Sequence, residues 1–332
     1  MIAPKRFTPG TADPRESRCP WFAPVALLLT AALGCGEGRP LEVTYHPELG
    51  LRASLYLPRD RHGQLVPGVV LVHGGCFESG SREAMRPHGE LLAEHGIAAL
   101  AIDYRLLSQG GAYPAAVEDV RCALRWLHER GASHGVDPER LALLGASAGG
   151  FLAARAGLEP GQAASCGFSS TGPVRAVVVL YAVSDWELRA RTGLRECERR
   201  FLARACDPSR PLTCRAVSLI APWVALPTRF LILHGSRDED IRLEQSERLV
   251  RHLRESGIDA TLETYPGSGH GFELGTDLAA TRAKARLVEF LRGELALSAD
   301  TEAVDSRGRS RGQRSRPESD ARSSRETPGE HP

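Results

Sequence analysis

Five apolar runs constrain the fold of this chain more than any other feature. They are GVVLVHGG (68–75), GIAALAIDYR (96–105), LALLGAS (141–147), VRAVVVLYAVS (174–184) and RFLILHG (229–235). A strand with one face in water alternates apolar and polar residues, whereas a strand covered on both faces reads as an unbroken hydrophobic run. The stretches between the runs have helical spacing instead. Pro114 opens one that reaches Arg130, with Val117, Val120, Ala123, Leu124 and Leu127 on a single face. Further helices are predicted over 83–95, directly after Ser147, and over 243–256 and 276–295. LEVTYHP and LRASLYLP form an opening antiparallel pair, and ATLETYP supplies a last strand. The class is therefore α/β, a mostly parallel central sheet with helices on both faces. One segment breaks the rhythm: residues 185–226, after the sixth strand, carry eight arginines between Arg189 and Arg215 and are expected to form a cap.

A sheet of this kind holds ligands at the C-terminal ends of its strands, and four segments end there with reactive groups. Gly145-Ala146-Ser147-Ala148-Gly149 is G-x-S-x-G between a strand and a helix, which turns the serine hydroxyl into the cleft. A serine hydroxyl needs a base to take its proton. YPGSGHGF supplies His270 in a glycine-rich loop after the last strand. The base needs an acid to orient it, and HGSRDEDI offers Asp238, with Asp240 the nearest alternative and Asp185 a more remote one. A tetrahedral intermediate needs N–H donors. Gly74, Gly75 and Cys76 are placed to donate from one side and Ala148 from the other.

Together these residues resemble the α/β-hydrolase fold, in its esterase branch with an HGG-type oxyanion motif. That branch includes hormone-sensitive-lipase-like esterases and feruloyl- or acetyl-xylan-esterase-like (BD-FAE) proteins. The likeness covers about residues 50–295 and takes in AIDYRLL, the proline-opened helix with Asp119 and Trp126, and HGSRDEDI. Glu239-Asp240-Ile241 departs from the family's valine-proline ending. Cys76 replaces the third glycine of HGGG, which points to the HGG-x-[WF] form with Phe77 as the aromatic. The resemblance implies two-step hydrolysis of a small-molecule ester by Ser147, His270 and Asp238. It implies neither metal nor organic cofactor, and the arginines of the insertion suit acyl or alcohol parts bearing a carboxylate. The nearest rival is the same machinery cutting an amide, as in arylformamidases or prolyl-oligopeptidase-like enzymes; no β-propeller fits before residue 50. A non-catalytic surface binding protein of this fold would lack the serine or histidine. A dinucleotide-binding domain fails for want of G-x-G-x-x-G.

The ends and the cysteines bear on location. A basic start with Lys5, Arg6, Arg15 and Arg18 precedes an apolar stretch from Trp21 to Leu33, too short to span a bilayer but suited to an export signal. Ala32-Leu33-Gly34-Cys35 resembles a bacterial lipobox, with Cys35 as the lipidated residue and Gly36 favouring the outer membrane. Any membrane association is expected through that anchor alone. Cys197, Cys206 and Cys214 lie in one polar segment, where a disulfide among them is expected outside the cytoplasm. Residues 298–332 lack large apolar side chains and read as a disordered tail. With a formal net charge of +1, nothing calls for nucleic acid as a partner.

Overall fold

The computed structural model describes residues 39–159, 166–168, 173–203, 205–207 and 209–296. The expected export signal, Cys35 and the expected tail all lie outside the described residues.

The five apolar runs are strands, and the antiparallel opening is present. The strands are β1 (Leu41–His46), β2 (Leu51–Tyr56), β3 (Val66–Val72), β4 (Ala98–Ile102), β5 (Val136–Ala146), β6 (Val174–Leu180), β7 (Arg229–Gly235) and β8 (Ala260–Tyr265). Their order in the sheet is β1-β2-β4-β3-β5-β6-β7-β8. Pairing is antiparallel for β1 with β2 and β2 with β4, and parallel from β4 onward. Successive strand residues face opposite sides, and both sides are buried. On β3, Val70 and Val72 belong to one apolar cluster while Val69 and Leu71 belong to the other.

Helices cover both clusters. α2 (Ala115–Arg130), α3 (Ala148–Leu158) and α6 (Glu244–Glu255) supply residues to the first. α1 (Arg86–Glu94) and α7 (Leu278–Glu294) supply Leu92, Ala283, Leu287 and Leu291 to the second. The α-helix predicted from residue 83 begins at Arg86, behind a 3-10 turn over Arg82–Met85. Pro87 lies in the first turn of α1, where its missing N–H would have no intrahelical partner in any case. The insertion after β6 contributes two short helices, α4 (Trp186–Thr192) and α5 (Glu196–Leu202), and a 3-10 turn over Pro211–Val217.

Candidate active site

The tight packing of β5 against α3 dictates the small residues around Ser147. A Cβ on Gly145 would lie 2.1 Å from the Gly149 carbonyl oxygen, and one on Gly149 would lie 2.2 Å from that of Val72. Only glycine permits such an approach. Between them Ser147 takes φ +54°, ψ −119°, a conformation costly for a residue with a side chain. Its N–H is tied to the Leu180 carbonyl at 2.9 Å, so the turn is held from β6 while α3 starts at Ala148.

Three predicted residues meet here from separate strand ends. Ser147 Oγ stands 3.0 Å from His270 Nε2, and His270 Nδ1 stands 2.7 Å from Asp238 Oδ2. Asp238 follows β7 and its side chain is fully buried. Burial alone would push its carboxyl upward. Hydrogen bonds from His234, His270 and the Ile241 N–H outweigh that and hold it well below the usual carboxylate range. The N–H groups of Asp240 and Ile241 reach Asp238 Oδ1 at 3.0 and 2.8 Å. His234, on β7, brings Nε2 within 3.3 Å of Oδ2 while Ser246 meets its Nδ1 at 2.7 Å. The two alternative acids lie elsewhere. Asp240 is exposed, 3.6 Å from Arg195. Asp185 caps α4 through the Leu188 N–H and pairs with Arg248 at 2.7 Å.

The glycine pair after β3 lies beside the serine. A Cβ on Gly74 would sit 3.3 Å from Ser147 Cβ. Gly75, Cys76 and Phe77 all have positive φ, at +111°, +52° and +64°. The loop is braced from behind: Tyr104 stacks on His73 at 4.3 Å and donates to its carbonyl at 3.1 Å. Arg105 in turn clasps the buried Asp119 of α2. A small cavity of about 10 Å³ adjoins Ser147, lined by Cys76, Phe77, Ala148, Phe151, Val183, Arg195, Glu198 and Ile241. Cys76 and Ala148 both line it beside Ser147, and Gly74 and Gly75 do not. Arg195, the insertion's arginine here, is 3.7 Å from Glu198.

Sequence reasoning missed two neighbours of His270 and two bridges. The Tyr181 ring packs against the imidazole at 4.5 Å, and its hydroxyl donates to buried Glu273 at 2.5 Å. Burial pushes the Glu273 carboxyl up. Of the cysteines expected to pair among themselves, Cys206 and Cys214 do so, but Cys197 joins Cys76. Cys122 and Cys166 form a third bridge. The Cys197 partnership follows from α5 docking over the loop after β3, which brings the two Cα atoms to 5.9 Å.

Residues 54–253 match the BD-FAE family, well over half of the chain. The chain belongs to that family. Its C-terminal part, residues 224–295, also matches the dienelactone hydrolase family. Among curated relatives, esterase LipC of Mycobacterium tuberculosis is 33% identical over 241 residues, covering 70% of this chain and 59% of LipC. The chain spans about six tenths of the length of the curated relatives it matches. Among solved structures, the propionate-bound esterase Est2 of Thermogutta terrifontis superposes with a TM-score of 0.66 at 27% identity, over 78% of this chain and 97% of that one. The same esterase phosphonylated by sarin gives 0.66 at 26%, over 78% and 97%. The BD-FAE chain therefore has the α/β-hydrolase fold.

Proposed function

We propose that this chain is a serine carboxylic-ester hydrolase acting on short-acyl esters. The observation that carries the reading is the continuous hydrogen-bonded chain from Ser147 through His270 to Asp238. His270 takes the Ser147 proton as Oγ attacks the ester carbonyl, and the N–H groups of Cys76 and Ala148, with Gly75 behind, receive the oxyanion. Collapse of the intermediate breaks the carbonyl–alkoxy bond, and His270 returns the proton to the departing alcohol. Water, deprotonated by the same imidazole, then splits the acyl-serine. Asp238 stays ionised throughout and holds His270 as an Nδ1–H donor. The named esterases among the relatives, and the phosphonylation of the Thermogutta terrifontis enzyme, support this chemistry.

The cavity beside Ser147, about 10 Å³, has room for a single water- or methyl-sized group. That favours an acetyl ester over a feruloyl ester. A fluorophosphonate probe is expected to label the protein, and Ser147→Ala to abolish both labelling and hydrolysis of p-nitrophenyl acetate. Full hydrolysis by the Ala variant rules the mechanism out, and faster turnover of feruloyl than acetyl esters rules out the acyl assignment.

Export with lipidation at Cys35 belongs to the same reading. The three disulfides among the described residues, which suit an oxidising compartment, support export, while the lipidation rests on the Ala32–Cys35 segment alone. Metabolic labelling with an alkynyl fatty acid, lost on Cys35→Ser, tests it; labelling that survives the substitution refutes it.

A further inference from the structure

α5 touches the loop after β3 at three consecutive residues. Cys76 is bonded to Cys197. Phe77 stacks on Phe201 with ring centroids 3.7 Å apart and planes 7° from parallel, both side chains buried. Glu78 meets Arg200 at 3.3 Å. The ion pair is exposed and adds little, so the bridge and the ring stack carry the contact. The residues so gripped are those whose backbone is least favourable for an ordinary side chain. Cys76 and Phe77 hold φ +52° and +64°, a region that glycine enters freely and L-residues rarely do. Neither is stabilised there by its own type. The loop is anchored beyond them by Leu107 N–H to the Phe77 carbonyl at 2.9 Å. α5 is in turn anchored by Tyr113 N–H to the Phe201 carbonyl at 3.0 Å.

We propose that Cys197 is a positioning residue: its bridge to Cys76 holds the oxyanion loop in a left-handed conformation that a non-glycine side chain would otherwise leave, so that the Cys76 N–H faces Ser147. The inference rests on the oxyanion role given to Cys76 above. It makes the cap a structural part of the catalytic loop, and it makes turnover depend on the oxidation state of a bond 121 residues apart in sequence. A phosphine, itself oxidised to its oxide with oxygen from water, would cleave the S–S bond to two thiols and free the loop from α5.

The test compares kcat, KM and fluorophosphonate labelling for p-nitrophenyl acetate in four proteins: wild type, Cys197→Ser, Cys76→Gly with Cys197→Ser, and Cys206→Ser with Cys214→Ser. Losing one oxyanion donor lowers kcat by about 100-fold or more, so Cys197→Ser is expected to lose at least about tenfold in kcat, with KM changed less than about threefold. Glycine at 76 needs no bridge to hold positive φ, and is expected to recover most of that loss. Phosphine is expected to slow the wild type and the Cys206/Cys214 variant alike, reversibly, while leaving the Cys197→Ser variant unaffected. A kcat for Cys197→Ser equal to wild type overturns the proposal. So does a loss that glycine at 76 fails to repair, because a merely structural bridge predicts that pattern. If instead Ser147→Ala hydrolyses the ester as fast as wild type, the functional reading falls, and this proposal falls with it.

Discussion

His88, on α1, gives the sharpest prediction about stability against pH. Its side chain is 2% exposed, and neither ring nitrogen finds a hydrogen-bond partner among the described residues. Burial, with the Lys284 cation adding to it, pushes the imidazole down from 6.5 to about 4. Glu273 lies 3.9 Å away but is itself pushed towards its neutral acid by burial, so it offers little counter-charge as the pH falls. A histidine with a depressed folded value binds fewer protons folded than unfolded between about 4 and 6.5. Stability contributed by the neutral ring is therefore full above 6.5 and is lost as the pH falls towards 4. Each unit is worth about 1.4 kcal/mol, so the loss reaches about 2 kcal/mol at pH 5 and about 3 kcal/mol near pH 4. Glu273 works in the opposite sense above 4.5, which would mask the effect in a single protein. The measurement is therefore a difference: urea unfolding of wild type and His88→Leu at pH 7 and pH 5. Both carry Glu273, and only one carries the titrating ring. The gap between them is expected to move by about 2 kcal/mol in favour of the leucine variant on going to pH 5. A gap that moves by less than about 0.5 kcal/mol would show that the ring does not have the depressed value its surroundings dictate.

Two other substitutions separate roles that the geometry keeps apart. Asp238→Asn, which removes the acceptor of His270 Nδ1, is expected to lower kcat by about 10⁴-fold, whereas Asp240→Asn, on an exposed side chain 3.6 Å from Arg195, is expected to change it less than about twofold; p-nitrophenyl acetate turnover reads both. Gly149→Ala would put a Cβ 2.2 Å from the Val72 carbonyl oxygen and 2.4 Å from that of His73, and since backbone cannot yield cheaply it is expected to cost about 3 kcal/mol or more, read as a lowered Tm and poor soluble yield.

Much of this molecule was legible before any coordinates. The reason differs from element to element. β3, β5 and β6 announce themselves because a strand buried on both faces has no polar positions to interrupt it. Ser147 stands out because Gly145 and Gly149 are needed by backbone approach, and His270 because Gly267 and Gly271 near it hold positive φ, constraints written in single residues. The helix predicted from residue 83 begins three residues later because the 83–85 segment is also helical, but as a tighter 3-10 turn. Asp238 could be preferred over Asp240 only on spacing. What decides between them is the turn that points two backbone N–H groups, Asp240 and Ile241, at the first carboxylate and leaves the second in solvent.

The features that stayed hidden are all agreements between distant segments. Tyr181 reads simply as the end of an apolar run, and Glu273 as one acid in a loop. Only the convergence of β6 with the loop after β8 places the ring against His270 and the carboxylate behind the ring. The Cys76–Cys197 bridge is the clearest case. In sequence, Cys76 looks like a harmless stand-in for a glycine, because an oxyanion donor contributes its N–H and any residue has one. The N–H must also be held in a particular conformation, at positive φ. Glycine adopts positive φ without help, and cysteine does not. Exchanging one for the other therefore creates a need for an outside hold, and the thiol that breaks the motif also supplies the means of repairing it through Cys197. The cysteine at position 76 and the bridge to Cys197 are thus two ends of one feature, which is why neither could be interpreted alone.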